Sequence, residues 1–464
     1  MIADIKPYAE YKESGLRWLG RMPGHWASER AKWLFTKMDR PVREEDEVVT
    51  CFRDGMVTLR KNRRLRGFTE ATAFSGYQGI RKGDLVIHGM DAFAGAIGVS
   101  DSDGKGTPVY NVCQPRLGVN ARYYAHLVRE MSQSQWILAL AKGIRERSTD
   151  FRFEMFGNQR VPLPPPDEQA AIVRFLDWAN GRLERAIRAK RKVIALLNEQ
   201  KQAIIHRAVT RGLDPSVTLK PSGIPWLGDI PQHWEAKRLK AIAQIRYGLG
   251  QPPRESETGL PLIRATNVDQ GRILEKNMVR VDQADVPKTR NAFLKAGEII
   301  VVRSGALTAD SAIIPAEYDG AVAGYDMVVT VKGARPEFIA LTLLSSYVQR
   351  DQLVIASMRA AQPHLNAEEL GTAVLLLPPD GEQQRIVEFV RSESVPIDSA
   401  ISRLEREIEL LREYRTRLVA DVVTGKLDVR DAAARLPDET PLDSVEDAAD
   451  LDDETKTADE EAAA

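Results

Sequence analysis

The chain has 464 residues, 43% of them apolar and 28% charged, with a formal net charge of −1. That is enough for two or three packed domains, and the balance excludes a fibrous repeat or wholesale disorder. On those totals alone a polyanion is an unpromising partner, and the two cysteines, Cys51 and Cys113, have no Cys or His neighbours at ligand spacing, which argues against a disulfide framework or structural zinc and fits a reducing cytoplasm.

The first residues, MIADIKPYAEYKESG, carry acids and no apolar stretch, and nowhere does an apolar run reach the roughly 18 residues of a membrane span. The expectation is a cytoplasmic protein with no membrane partner. Residues 11–26, YKESGLRWLGRMPGHW, form a Trp- and Pro-containing opening segment. A long mixed stretch follows, in which GDLVIHG (83–89) reads as a strand from its β-branched run between glycines. Short helices then lead to a Pro-rich stop, LPPPDEQAAIVRF (163–175), whose Asp-Glu-Gln opens a long helix with an acidic first turn. The helix closes on VTRGLD (209–214).

The same text then begins again. Residues 219–234 read LKPSGIPWLGDIPQHW, identical to 11–26 at nine of sixteen positions at an offset of 208. GEIIVVRSG (297–305) supplies a strand, LPPDGEQQRIVEF (377–389) echoes the Pro-rich stop at an offset of 214, and VTGKLD (423–428) echoes the close. The matched tryptophans, Trp18, Trp26, Trp226 and Trp234, read as core anchors, and His25 and His233 inside the repeated P-x-H-W read as structural. The sequence thus predicts an α+β fold of two tandem pseudo-symmetric units, each a mixed α/β domain followed by a long helix.

Each long helix indexes as a heptad. Leu183, Ile187, Ile194, Leu197 and Ile204 line the seam in the first, and Ile397, Ile401, Leu404, Ile408, Leu411 and Leu418 in the second, with the register preserved at the 214 offset. About 28 residues make a helix about 42 Å long. Each could pack on its own domain; the shared register favours pairing of the two copies. Lys201 and Arg415 occupy one equivalent seam position and read as stems that snorkel to water, with a register-setting role as the alternative. The expected boundaries are 1–182 and 219–396 for the mixed domains, 183–214 and 397–428 for the spacer helices, and 429–464 for an acidic, disordered tail.

Catalytic and cofactor signatures are missing. There is no HExxH, no G-x-G-x-x-G opening a helix after a strand, no G-x-S-x-G elbow and no Asn/Asp-Pro-Pro-aromatic tetrad. GVSDSDGKGT (98–107) has the wrong glycine spacing for a P-loop, and Gly106 stands where Ser or Thr should follow Lys105. No catalytic residue, metal ligand or cofactor of its own is expected. The chain reads as a recogniser or, as the alternative, a coiled-coil scaffold binding protein partners.

The doubled S-G-x-x-W-L-G-x-x-P-x-H-W, the doubled L-P-P-x-x-E-Q-x-x-I-V and the helix closing on V-T-x-x-L-D resemble the specificity subunit of type I restriction-modification systems, over residues 11 to about 430. The resemblance implies two target recognition domains spaced by an antiparallel coiled coil, each reading half of a bipartite, asymmetric site on double-stranded DNA. It further implies two copies of a modification methyltransferase subunit and translocating restriction nuclease subunits as partners. S-adenosylmethionine, ATP and Mg would belong to those partners. Readers about 34–36 Å apart would meet one face of the duplex.

Base edges in the major groove favour Arg on guanine and Asn or Gln on adenine. In the first half the candidates for DNA contact are Arg60, Lys61, Arg63, Arg64 and Arg66, Tyr77 and Gln78, and Arg145 and Arg147. In the second they are Arg264, Asn267, Arg303, Ser304, Arg359, Gln362, His364 and Asn366. The near-neutral total does not oppose them. Residues 437–464 hold twelve acids and one lysine, so the remaining 436 carry a net of +10. A solvating role is expected for that acidic stretch, with competition against DNA for the basic surface as the alternative.

Overall fold

The computed structural model describes residues 5–63, 76–140, 150–224, 226–287, 291–358 and 363–437. The chain divides into two compact units. One takes Met1–Arg188 and the chain from Glu407 onward, and the other takes Ala189–Arg406.

The first unit begins with a small hairpin of β1 (Tyr11–Glu13) and β2 (Arg21–Pro23), and β3 (Ala27–Arg30) follows. Its central antiparallel sheet has the order β4 (Phe35–Lys37), β7 (Tyr110–Pro115), β5 (Leu85–His88), β6 (Ile97–Val99). The predicted strand at 83–89 is therefore central. Leu85 and Ile87 enter one core with Trp26, Phe35 and Phe175, while Val86 enters another with Val49, Ile80 and Tyr110. A strand covered on both faces needs a continuous apolar run, and this one has it. Helix α1 (Ala121–Gln133) packs on the sheet, β8 (Arg160–Leu163) pairs with β3, and the chain enters α2 (Pro166–Arg211).

The second unit repeats the order. β9 (Leu219–Pro221) pairs with β10 (Asp229–Pro231), and β11 (Glu235–Arg238) comes next. The sheet runs β12 (Ala243–Tyr247), β15 (Met327–Val331), β13 (Ile299–Val301), β14 (Ser311–Ile313). Helix α3 (Pro336–Leu344), the short α4 (Ala367–Thr372) and β16 (Val374–Leu377, on β11) lead into α5 (Asp380–Val423). Ile299 and Val301 join Trp234, Phe338 and Ile386, whereas Ile300 and Val302 join Ile263, Leu294 and Val328. Registers agree as well as order: Leu85 faces Val99 in one unit and Ile299 faces Ile313 in the other.

The long helices exceed expectation. α2 has 46 residues and α5 has 44, which at 1.5 Å per residue gives about 66–69 Å. The boundary expected at 182/183 falls inside α2, because Pro166, Asp167 and Glu168 start the helix and no breaker intervenes. Pro396 sits within α5 without ending it. The expected tail is also displaced. Val429, Ala433 and Leu436 are buried around α6 (Arg430–Ala434), so residues 429–437 belong to the first unit; residues 438–464 lie outside the described residues.

Among the described residues no helix is long and apolar enough to cross a membrane, and no group of three His, Cys, Asp or Glu could hold a metal ion. Cys51 and Cys113 are free and buried.

Candidate nucleic-acid interface

The repeated motifs converge on a joint between mixed domain and helix. In the first unit Glu168, in the first turn of α2, is nearly inaccessible and accepts from three side chains: Trp26 Nε1 at 2.9 Å, His25 Nε2 at 2.8 Å and the Tyr8 hydroxyl. Burial and this acceptor push the Tyr8 hydroxyl's pKa far above its ordinary value. Next to it, Gln169 donates to the Pro164 carbonyl at 2.8 Å and accepts from the Asn120 N–H at 2.9 Å, fixing the N-cap of α1. The second unit repeats the glutamine clamp, with Gln383 donating to Pro378 at 2.8 Å and accepting from Arg335 N–H, ahead of α3, at 2.9 Å. His233 Nε2 meets Glu382 at 2.7 Å, but Trp234 Nε1 is buried with no hydrogen-bond partner among the described residues.

Why those motif residues recur is now physical. Gly15, Gly20, Gly223 and Gly228 all have φ between 69° and 74°, the left-handed region where an L side chain is strained. Trp26 and Trp234 are fully buried, as expected. Trp18 packs against the first core, but Trp226 departs from the anchor reading: it is 48% exposed, its ring leaning on Tyr347 at 6.5 Å. Glu168, Gln169, Glu382 and Gln383 stand in the sequence as repeated letters of the Pro-rich stop, and their role as acceptors and clamps emerges only in the structure. Their recurrence at the 214 offset is the signal that marks them.

At the helix seam, Leu183, Ile187, Ile397, Ile408 and Leu418 are buried, and Ile194, Leu197, Ile204, Ile401, Leu404 and Leu411 are half-buried. Lys201 and Arg415 do not simply reach for water. In the second unit Lys201 Nζ lies 2.9 Å from Asp398, which also pairs with Arg272. In the first, Arg415 Nη1 lies 2.9 Å from Glu184.

Of the candidates for DNA contact, Arg64, Arg66, Arg145, Arg147, Arg359 and Gln362 lie outside the described residues. In the first unit Arg60, Lys61 and Arg63 come together on a short turn. Arg60 Nε reaches Thr50 Oγ1 at 3.3 Å, Lys61 pairs with Glu47, and Arg63 pairs with Asp54 at 2.6 Å while lying over the Phe52 ring. Tyr77 is half-buried. Gln78 is not a base reader: it is buried, its amide donating to the carbonyls of Tyr110 at 2.7 Å and Thr107 at 3.3 Å.

In the second unit Asn267 is likewise spent. Fully buried, it donates to the carbonyls of Leu274 and Lys276 and accepts from the Arg264 N–H. Asn366 caps α4, accepting from the Glu369 N–H at 2.9 Å while Glu369 answers in a capping box. Amides that suit adenine suit backbone groups equally, and these three are taken by the fold. Arg264 donates to the Asn277 carbonyl at 3.0 Å. Arg303, Ser304 and His364 do assemble: Ser304 and His364 form an isolated antiparallel bridge, and Arg303 Nη2 lies 3.0 Å from His364 Nε2. Beneath them Asp326 is pushed up to about 6, chiefly by burial, while the Arg303 N–H works against the shift.

The model for the type I restriction modification DNA specificity domain matches residues 231–408. The type I restriction enzyme MjaVIII specificity subunit of Methanocaldococcus jannaschii is 25% identical over 286 residues, covering 60% of this chain and 64% of that protein, a little under two thirds of its length. The EcoKI specificity subunit of Escherichia coli is 21% identical over 325 residues, 68% of each chain. A solved chain described under "Structural basis underlying complex assembly and conformational transition of the type I R-M system" superposes with a TM-score of 0.60 at 14% identity, over 88% of this chain and 99% of that one.

Proposed function

We propose that this chain is the non-catalytic specificity subunit of a type I restriction-modification system, the subunit that reads a bipartite, asymmetric DNA site for its complex, a reading supported by its similarity to that family. One observation carries the reading. Two mixed domains keep the same strand order and registers around the same Trp-His-Glu joint, yet differ in what leaves the central sheet, with Gly89-Met90 following β5 and Arg303-Ser304 standing at the equivalent place after β13. A common scaffold with different exits suits two readers of different words.

In this proposal α2 and α5 pair as an antiparallel coiled coil. Two ion pairs support it. Glu184 and Asp398 are equivalent at the 214 offset, as are Lys201 and Arg415, so Glu184–Arg415 and Asp398–Lys201 are reciprocal copies of one contact. Between them one helix advances 17 residues while the other retreats 17. Near-equivalent surfaces would dock two copies of a methyltransferase subunit. That partner and the restriction translocase-nuclease would bring S-adenosylmethionine, ATP and Mg, and the complex would act on double-stranded DNA in the cytoplasm.

Methylome sequencing of the host tests this. A bipartite methyladenine motif that disappears when the gene is deleted is the expected result; an unchanged methylome refutes the reading and leaves a protein-binding scaffold.

A further inference from the structure

The chain leaves β13 through Val302 and Arg303, and the backbone of Arg303 is held from both sides. Its N–H donates to Asp326 Oδ1 at 3.2 Å and its carbonyl accepts from the Leu365 N–H at 2.7 Å. Gly305 N–H reaches the Pro363 carbonyl at 3.3 Å, and the Thr308 hydroxyl donates to the Gly305 carbonyl at 2.7 Å. These bonds stitch residues 303–308 to residues 363–365.

The side chain is held as firmly. Its guanidinium carbon lies 4.2 Å from the centroid of the Tyr325 ring and 4.6 Å from that of Tyr247. The Tyr247 hydroxyl accepts from the Ala367 N–H at 2.8 Å, which anchors that ring to the start of α4. Both rings stay open to solvent, Tyr325 46% and Tyr247 38% exposed.

What this effort leaves over is a set of unspent donors. No carboxylate forms an ion pair with Arg303 among the described residues, in contrast to Arg246 on Glu298 and Arg254 on Asp285 in the same unit. Apart from Nη2 on His364, no side-chain nitrogen of Arg303 has a hydrogen-bond partner among the described residues, and Nε is buried in that state. A guanidinium needing only water requires no such clamp. Immobilising it costs rotamer entropy, and unmet donors cost more. A planar fork fixed in advance loses little on binding a planar acceptor pair.

We infer that Arg303 is a specificity-determining residue of the second unit, reading a guanine through O6 and N7 in the major groove, with Tyr247, Tyr325 and His364 as its positioning residues. This rests on the DNA-reading function proposed above. The first unit has Gly89 at the equivalent place, so only one half of the site depends on Arg303.

The test is methylome sequencing of cells whose chromosomal gene is native, deleted, Arg303→Ala or Arg303→Lys. A native motif that survives deletion overturns the functional reading, and the inference with it. With that control passed, both substitutions should relax one G·C position of one half-site. Preference for that base pair should fall from about tenfold to a hundredfold to nearly none, with the other half-site unchanged. An unaltered motif in both variants overturns the inference. So does loss of methylation at every site in both, which would assign Arg303 to the fold, and so does uniform weakening by Ala that Lys restores, the signature of a phosphate contact.

Discussion

Glu168 and Glu382 occupy the same step of the repeat, yet the first unit seals its glutamate with three donors, whereas the second gives Glu382 His233 and leaves Trp234 Nε1 without a partner among the described residues. The side chain of Glu382 is 17% exposed against 2% for Glu168. At the strand exits the contrast reverses: the first unit offers Gly89-Met90, while the second builds a clamp around Arg303. The difference teaches where the duplication is constrained. The joint must keep its backbone path but tolerates looser bonding, and the strand exit is free to change its chemistry.

The largest expected effect probes the joint. Glu168→Ala strands the buried Trp26 indole and Tyr8 hydroxyl donors and should cost about 3 kcal/mol, against about 1 kcal/mol for Glu382→Ala, measured by denaturant unfolding of each variant. Equal losses would erase the contrast.

The next concerns Asp326, which stands on the sheet where the first unit has Tyr110. Its carboxyl is pushed up to about 6 by burial, so the folded state holds the proton more tightly than the unfolded chain does, and this group's contribution to stability declines as pH rises from about 4 to about 6. Asp326→Asn removes that decline. The stability of the variant relative to the native chain should therefore rise by roughly 2 kcal/mol between pH 4 and 6, read by thermal or denaturant unfolding across that range. A flat difference would contradict the burial argument.

Smaller effects separate the helix ends. Gly425 has φ +76°, and a β-carbon there would meet Pro23 Cδ at 2.5 Å and Trp26 at 2.8 Å; at Gly212 (φ +73°) the nearest contacts are 3.1 and 3.3 Å. Gly425→Ala should cost about 2 kcal/mol and Gly212→Ala about 1 kcal/mol, checked by melting temperature. Smallest is the half-exposed seam pair. Arg415→Glu against Glu184 should cost about 1 kcal/mol or less, and Glu184→Arg in the same chain should recover most of it. Failure of the double variant to recover would remove the ion pair from the account of helix pairing.

Most of the fold was legible because its constraints are local. The left-handed glycines, the buried Trp beside its His, the Pro that starts a helix and the central strands buried on both faces each need one residue type at one place. The site was less legible because its bonds are not local. Lys201 and Asp398 lie 197 residues apart, so a basic seam residue reads as a snorkelling stem until its partner is seen. Gln78, Asn267 and Asn366 have the right chemistry for adenine, and only three dimensions reveal that backbone groups had taken them. Arg303 was visible as an arginine after a strand; the two tyrosines that fix it, 56 and 22 residues away in sequence, were not.

The two-reader account is tested most directly by exchanging residues 30–160 for the corresponding segment of a relative with a different methylated motif and sequencing the host methylome. The account predicts that one half of the bipartite site changes to the donor's word while the other half and the spacing between them stay the same. A change in both halves, or in neither while methylation continues, would contradict it.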